Sequence, residues 1–158
     1  MTSRILPATS TRVQRATKGE LNERIRTATD ARVASLQGAK PVQLEARLQE
    51  LDREWDIERV LQANASTLVM LGVALGYAVD RRFLLLPAAV FSFFAQHALQ
   101  GWCPPVPILR RRGVRTMREI QRERYAIKAL RGDFDAVPAP GSGEHASRVR
   151  AALDAVDR

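Results

Sequence analysis

The sequence predicts an all-α protein: a two-helix transmembrane hairpin carrying cytoplasmic amphipathic helical arms. Three observations predict it. Two apolar runs, residues 63–79 and 83–99, hold no charged residue and are parted only by Asp80, Arg81 and Arg82. The segments before and after them repeat apolar residues at helical spacing. The positive charge gathers directly after the second run.

The runs are short but sufficient. A hydrocarbon core of about 30 Å needs roughly 20 helical residues, with about 17 as the lower limit. Leu68, Val69, Met70, Leu71, Val73, Leu75 and Val79 carry the first run, and Asn64 near its start offsets part of the gain. The second, with Leu84, Leu85, Leu86, Phe91, Phe93 and Phe94, is stronger. Spans at about 63–79 and 83–102 are expected, inside a hairpin segment of 62–105. The competing assignment is a buried helix pair in a soluble bundle. That needs enough other apolar surface to cover two helices that are hydrophobic all round, and the rest of the chain is rich in arginine and thin in apolar residues.

Gly72 and Gly76 form a Gly-x-x-x-Gly pattern in the first run, and Ala88, Ser92 and Ala95 give the second a face of small residues. Small residues let helix backbones approach closely in lipid. They are expected to pack the hairpin on itself, with a homodimer through Gly72 and Gly76 as the alternative. Pro87 is expected in the first turn of the second helix or at a kink.

The 158 residues allow one domain with tails. A single cysteine excludes an intrachain disulfide. The formal net charge of +8 fits a nucleic-acid or an anionic membrane partner. About +5 of it falls in residues 106–135, the position of a juxtamembrane basic segment. Nucleic acid is not expected, because no recognised reading motif or interleaved aromatics accompany the charge. A soluble, basic, helical nucleic-acid-binding protein is the remaining alternative.

Residues 1–16 read as a disordered tail without the apolar core of a secretory signal. Residues 17–61 read as a cytoplasmic helical arm. Thr17 and Glu20 make a capping box, and Leu21, Ile25, Ala28, Val33 and Leu36 follow at helical spacing until Gly38 and Pro41 stop the helix. Pro41 opens the next helix, whose narrow stripe is Leu44, Leu48, Leu51 and Trp55. No breaker intervenes before the first run, so a rod over 42–79 of about 57 Å is expected. Glu54, Asp56 and Glu58 read as an ordinary solvated or salt-bridged face.

After the second run, Pro104, Pro105 and Pro107 predict extended or polyproline backbone. Residues 106–135 read as a basic amphipathic helix. Thr116 and Glu119 cap it, and Met117, Ile120, Ile127, Leu130 and Phe134 form its apolar face. That face lies either in the membrane interface or on the Leu44–Trp55 stripe. Residues 136–158 are a linker and a short tail helix through Val149, Ala152, Leu153 and Val156. Basic residues flank both outer ends of the hairpin, so the positive-inside bias puts both termini in the cytoplasm, with Trp102 and Tyr77 in the interfacial belts.

Residues 56–61 ahead of the apolar pair, then Gly101, Trp102, Cys103, Pro104 and Pro105, then Gly113, Val114 and Arg115, resemble the YgaP-like transmembrane domain over about residues 54–115. This is a small bacterial inner-membrane domain of uncharacterised function, in some members fused to a rhodanese sulfurtransferase. The resemblance implies a two-helix membrane hairpin in the bacterial inner membrane, often associated into dimers. No rhodanese module is expected within 158 residues.

The sequence carries no nucleophile elbow, phosphate-binding glycine loop or zinc signature. No catalytic residue, cofactor or metal is expected, and the protein reads as a non-enzyme. Cys103 is the one candidate with chemistry: a thiol near Arg110, Arg111 and Arg112 that carries a persulfide or senses oxidants, against a small residue fitted into a tight turn. A membrane-bound thiol or persulfide carrier is therefore the alternative function. His97 and Cys103 are too few to hold a metal. Arg110, Arg111, Arg112, Arg115 and Arg118 are the candidate lipid-binding residues, and an unidentified protein the further partner.

Overall fold

The computed structural model describes residues 6–141 and 145–157, and every regular element among them is helical. In chain order the α-helices are α1 (Arg12–Arg15), α2 (Gly19–Ser35), α3 (Pro41–Arg53), α4 (Ile57–Ala78), α5 (Leu85–Gln100), α6 (Pro105–Arg111), α7 (Met117–Arg131) and α8 (His145–Asp157). Short 3-10 turns at Thr9–Thr11 and Arg81–Leu84 precede α1 and α5. The chain divides into two compact units: Met1–Ala28 with Glu54–Ile120, and Thr29–Arg53 with Gln121–Arg158.

The first unit contains the apolar pair. At 1.5 Å per residue α4 is about 33 Å long, which matches a bilayer core of about 30 Å. Two helical stretches, Pro41–Ala78 and Arg81–Gln100, are long and apolar enough to cross a membrane. The first includes a non-helical step at 54–56, so its apolar part is α4. The rod expected over 42–79 is broken there. Asp56 has extended backbone (φ −73°, ψ 168°), and its carboxylate accepts from the Arg59 amide at 3.0 Å. Its backbone position and side chain make an N-cap, which starts a new helix where composition alone showed no breaker. The Ile57 amide donates to the Arg115 carbonyl at 2.8 Å and fixes this start.

Asp80 turns the chain between α4 and α5 by accepting from the Arg82 amide at 2.7 Å. Gly72 and Gly76 are buried in the packed face. A Cβ on Gly72 would stand 2.5 Å from Pro87 Cδ, and one on Gly76 2.6 Å from Leu84 Cδ2. The glycine pair is thus spent inside the chain, against Pro87 and Leu84. Ala88 and Ser92, expected on the same seam, are exposed instead, and the Ser92 hydroxyl donates to the Ala88 carbonyl at 2.9 Å. Pro87 takes the seam because it sits in the first turn of α5, where its missing N–H breaks no helical bond.

The proline segment also differs from expectation. Pro104 and Pro105 occupy the N-cap and first position of α6 instead of forming an extended strand. First-turn amides have no intrahelical acceptor, so prolines there forfeit nothing. Gly101, at φ +78°, ends α5 in the left-handed region.

The amino-terminal stretch is ordered where a tail was expected. Residues 9–15 are helical, and Val13 is buried with Ile57, Leu61, Cys103 and Val106 in one apolar cluster. The expected tail's first five residues lie outside the described residues. The Thr17 capping box does not form, because the Thr17 hydroxyl turns back to the Val13 carbonyl at 2.7 Å. The Thr116 box does form. Its hydroxyl accepts from the Glu119 amide at 3.3 Å, and the Glu119 carboxylate accepts from the Thr116 amide at 2.8 Å.

In the second unit α3 buries Leu44, Leu48 and Leu51, and α7 buries Glu123 and Ile127. Trp55, the fourth expected member of the stripe, is half exposed, and the Arg59 guanidinium lies 4.4 Å over its ring. Ion pairs stitch α7 to α3: Arg47 to Glu123 at 2.7 Å, Arg124 to Asp52, and Arg131 to Glu45. The inward face of α7 therefore lies on α3 and not in a membrane interface. Leu130 remains largely exposed, which removes it from the expected apolar face. Glu123 is fully buried and also meets Arg32 at 3.4 Å. Burial opposes the Arg47 charge, but the Glu50 and Glu123 carboxylates outweigh it and raise its pKa.

The helix expected to run to 135 ends at Arg131, 132–135 form turns, residues 136–141 of the expected linker are turn and irregular chain, and 142–144 lie outside the described residues. The tail helix is α8. It buries Ala155 and leaves Val149, Leu153 and Val156 exposed, while the Lys128 ammonium donates to the Val156 carbonyl at 2.5 Å.

Candidate functional site

Two features of the first unit bear on function. The first is the outer surface of α4 and α5. Only 17% and 11% of the most apolar windows of the two stretches is buried. Met70, Tyr77, Val79, Leu85, Phe91 and Leu99 all point outward with more than half of their surface free. A soluble core helix hides such residues, and a contiguous exposed apolar face this large marks contact with lipid or protein.

The second is a small cluster at the end of α5. The His97 ring is 2% exposed. Its Nε2 lies 3.0 Å from Glu58 Oε2 on α4. The other carboxylate oxygen accepts from Arg12 Nη2 on α1 at 2.7 Å. Phe94, one turn earlier on α5, stacks on the ring at 6.4 Å between centroids and 20° between planes. Cys103 is 4% exposed and sits in the apolar cluster with Val13, Ile57, Leu61 and Val106. The His97 Nδ1 is buried without a hydrogen-bond partner.

Each part has a local cause. Gly101, in the left-handed region, lets the chain reverse directly after α5, and its amide donates to the His97 carbonyl at 2.8 Å. A Cβ on Gly101 would stand 2.4 Å from the Arg12 carbonyl carbon, so the backbone of α1 closes over this turn. Asp56 starts α4 so that Glu58 falls in its first turn, a favourable place for a carboxylate. The hydrogen bond from His97 holds the Glu58 pKa below the usual carboxylate range against the effect of burial, and Arg12 adds to it.

Of the solvated or salt-bridged face expected for 54, 56 and 58, the salt-bridged alternative holds for Glu54 and Glu58, while Asp56 serves as a cap. Glu54 pairs with Arg115, Asp56 caps α4, and Glu58 holds both His97 and Arg12. The sequence showed the residues but not their partners, because His97 is 39 positions from Glu58. The one available signal was a histidine near the end of an apolar run.

The candidate lipid-binding arginines separate into two groups. Arg110 is fully buried: it donates twice to Glu119 at 2.7 Å, once to the Asn22 side chain at 2.8 Å and once to the Val114 carbonyl at 3.1 Å. Arg115 is 3% exposed and donates to Glu54 at 2.7 Å. Neither side chain reaches a headgroup, which corrects the expectation for both. A guanidinium with carboxylate and carbonyl acceptors around it is a structural anchor. Arg111, Arg112 and Arg118 are exposed. Burial would raise the Glu119 pKa, but hydrogen bonds from Arg110 and Thr116 prevail and lower it.

Among the described residues no group of three or more metal-ligating side chains comes together. No protein-family model, curated protein or solved structure matches the chain.

Proposed function

We propose that the chain is a small integral membrane protein in which α4 and α5 form a transmembrane hairpin and the remaining helices form cytoplasmic arms. The observation that carries this reading is the exposure of the α4 and α5 apolar surface. In water that surface would be an aggregation hazard, whereas lipid removes the cost. The hairpin anchors, and the arms bind another protein or a second copy. No reaction is assigned, and the reading is non-enzymatic.

The termini face the cytoplasm of a bacterial inner membrane, as the positive-inside bias and the resemblance to YgaP-like domains suggest. Arg111, Arg112 and Arg118 supply the charge that meets anionic headgroups. Arg110 and Arg115 are already neutralised by Glu119 and Glu54 and do not contribute. The glycine seam is occupied within the chain, so a homodimer uses another face.

Protease treatment of sealed vesicles tests the topology. Arms on the cytoplasmic side are cut in inside-out vesicles and protected in right-side-out ones. Cleavage of the arms in right-side-out vesicles contradicts the orientation.

A further inference from the structure

The last helix is inverted. α8 turns its alanines inward: Ala155 is 2% exposed, and Ala151 and Ala152 are half-buried. Its large apolar residues point outward, with Val149 60%, Leu153 59% and Val156 44% exposed. Spaced four and three apart, they make one stripe along the helix. The Lys128 ammonium, donating to the Val156 carbonyl at 2.5 Å, helps fix which face is presented. A helix that buries alanine and exposes leucine has an apolar face shaped for another surface.

The charges of α8 say what that surface is. Arg148 and Arg150 stand near its amino end, and Asp154 and Asp157 near its carboxyl end. The helix dipole favours the opposite order, acids at the amino end and bases at the carboxyl end. The observed order therefore weakens the helix alone. It suits a second copy of the same helix laid antiparallel, which brings the basic end of each to the acidic end of the other and opposes the two dipoles.

We propose that the exposed stripe of α8 is a homodimer interface, in which α8 of one copy packs antiparallel on α8 of a second about a two-fold axis at Leu153. Such an interface is isologous. Leu153 meets its own copy, Val149 of one chain meets Val156 of the other, and Arg150 meets Asp157. All three pairs share one centre to within a residue. At 3.6 residues per turn Arg150 and Asp157, both exposed, fall on the same flank of the stripe. A two-fold axis across an antiparallel pair sets each flank against the same flank of the other copy, so the register that stacks the stripe also forms the ion pairs. One helix face is small against the roughly 800 Å² per partner of a stable interface. The pairing therefore rests on the anchored-hairpin reading, because confinement to one membrane raises the effective concentration.

The test is oxidative cross-linking of the full chain in isolated membranes, with the linked peptides mapped by mass spectrometry. Leu153→Cys is expected to give a disulfide-linked dimer, and the wild type none, since its single cysteine, Cys103, is buried. Val149→Cys alone and Val156→Cys alone should stay at the wild-type level. Like positions there stand about 9–12 Å apart along the axis, beyond the roughly 7 Å between Cα atoms that a disulfide spans. Co-expressed, these two variants should link to each other. Arg150→Glu should lower the Leu153→Cys yield about fivefold through the loss of two exposed ion pairs, and adding Asp157→Arg should restore it. Glutamate at 150 suits the helix dipole better than arginine, so that loss does not come from unfolding of α8. The pairing is overturned if Leu153→Cys gives no dimer, including the case in which its thiol is shielded from a maleimide by a different protein or by the bilayer. It is equally overturned if Val149→Cys alone links as well as the mixture. Alkaline carbonate extraction of the same samples separates the two readings. Protein in the pellet without the Leu153 link removes the pairing and leaves the anchor, whereas protein in the supernatant removes the anchor and the link pattern decides the pairing on the released chain.

Discussion

Glu58 and His97, 39 residues apart, meet at 3.0 Å, and Arg12 holds the second oxygen of the same carboxylate. One side chain in the first turn of α4 thus ties α1, α4 and α5 together. Replacing Glu58 by Ala leaves a buried imidazole and a guanidinium short of acceptors. We expect the loss of about 1–3 kcal/mol that an unsatisfied buried polar group brings, read as a lower midpoint in thermal unfolding. A wild-type midpoint in Glu58→Ala would show that the tie carries no weight.

The Gly72 contact with Pro87 separates intrachain packing from dimerisation. Gly72→Ala forces a Cβ into a rigid ring at 2.5 Å, whereas Gly76→Ala meets the rotatable Leu84 side chain at 2.6 Å. Overpacking typically costs about 1–3 kcal/mol, and the larger loss is expected at Gly72. Oligomer size in detergent should not change. A fall in oligomer size with unaltered thermal stability would return the glycine pair to an interface between copies.

Buried and exposed arginines of one run should behave differently. Arg110→Met leaves Glu119 without its bidentate partner inside the protein. Breaking one side of a buried pair costs about 3–5 kcal/mol. Arg111→Met and Arg112→Met should stay within about 0.5 kcal/mol. They should instead weaken binding to vesicles containing anionic lipid. Equal stability losses across all three would contradict the assignment of Arg110 as an anchor.

Acid should weaken the same pair. The folded Glu119 pKa lies below its ordinary value of 4.5. Its contribution is therefore fully present above about pH 4.5 and is lost as pH falls through the folded value. Glu58, lowered by His97 and Arg12, adds in the same direction. Denaturant titrations from neutral to acid pH should show a shallower decline for Glu119→Gln than for wild type. An identical slope would remove Glu119 from the acid response.

On α7 the two readings of its apolar face give opposite mutational patterns. Ile127 is fully buried and Leu130 is 46% exposed. Ile127→Ala should cost about 2–5 kcal/mol through the cavity it leaves, and Leu130→Ala little. Were the helix lying in a membrane interface, Leu130→Ala would reduce vesicle binding and Ile127→Ala would have no special cost.

Local signals were legible in the sequence. The helical class, the apolar pair, the Asp80 turn, the Thr116 capping box and the first-turn position of Pro87 each follow from a few adjacent residues. What escaped depends on distant partners. Asp56 reads as one more acid until its backbone turns extended and caps α4. Arg110 reads as one of three surface charges until Glu119 and Asn22 surround it. The prolines at 104 and 105 suggest an extended strand, yet they equally suit a helix start, and only the packing of Val106 beside Val13 and Ile57 decides between them. Thr17 has the spacing of a cap but spends its hydroxyl on Val13. Of the candidate site, Cys103 and His97 were visible singly. The pairing of His97 needed Glu58 to arrive from another helix.

Membrane integration is the central claim, and alkaline carbonate extraction of membranes from cells expressing the full chain tests it most directly. The account predicts that the protein stays in the membrane pellet, because the α4 and α5 surface is held by lipid and not by charge. Release into the supernatant would mean that this surface is covered by protein or only rests on the bilayer, and would contradict the hairpin.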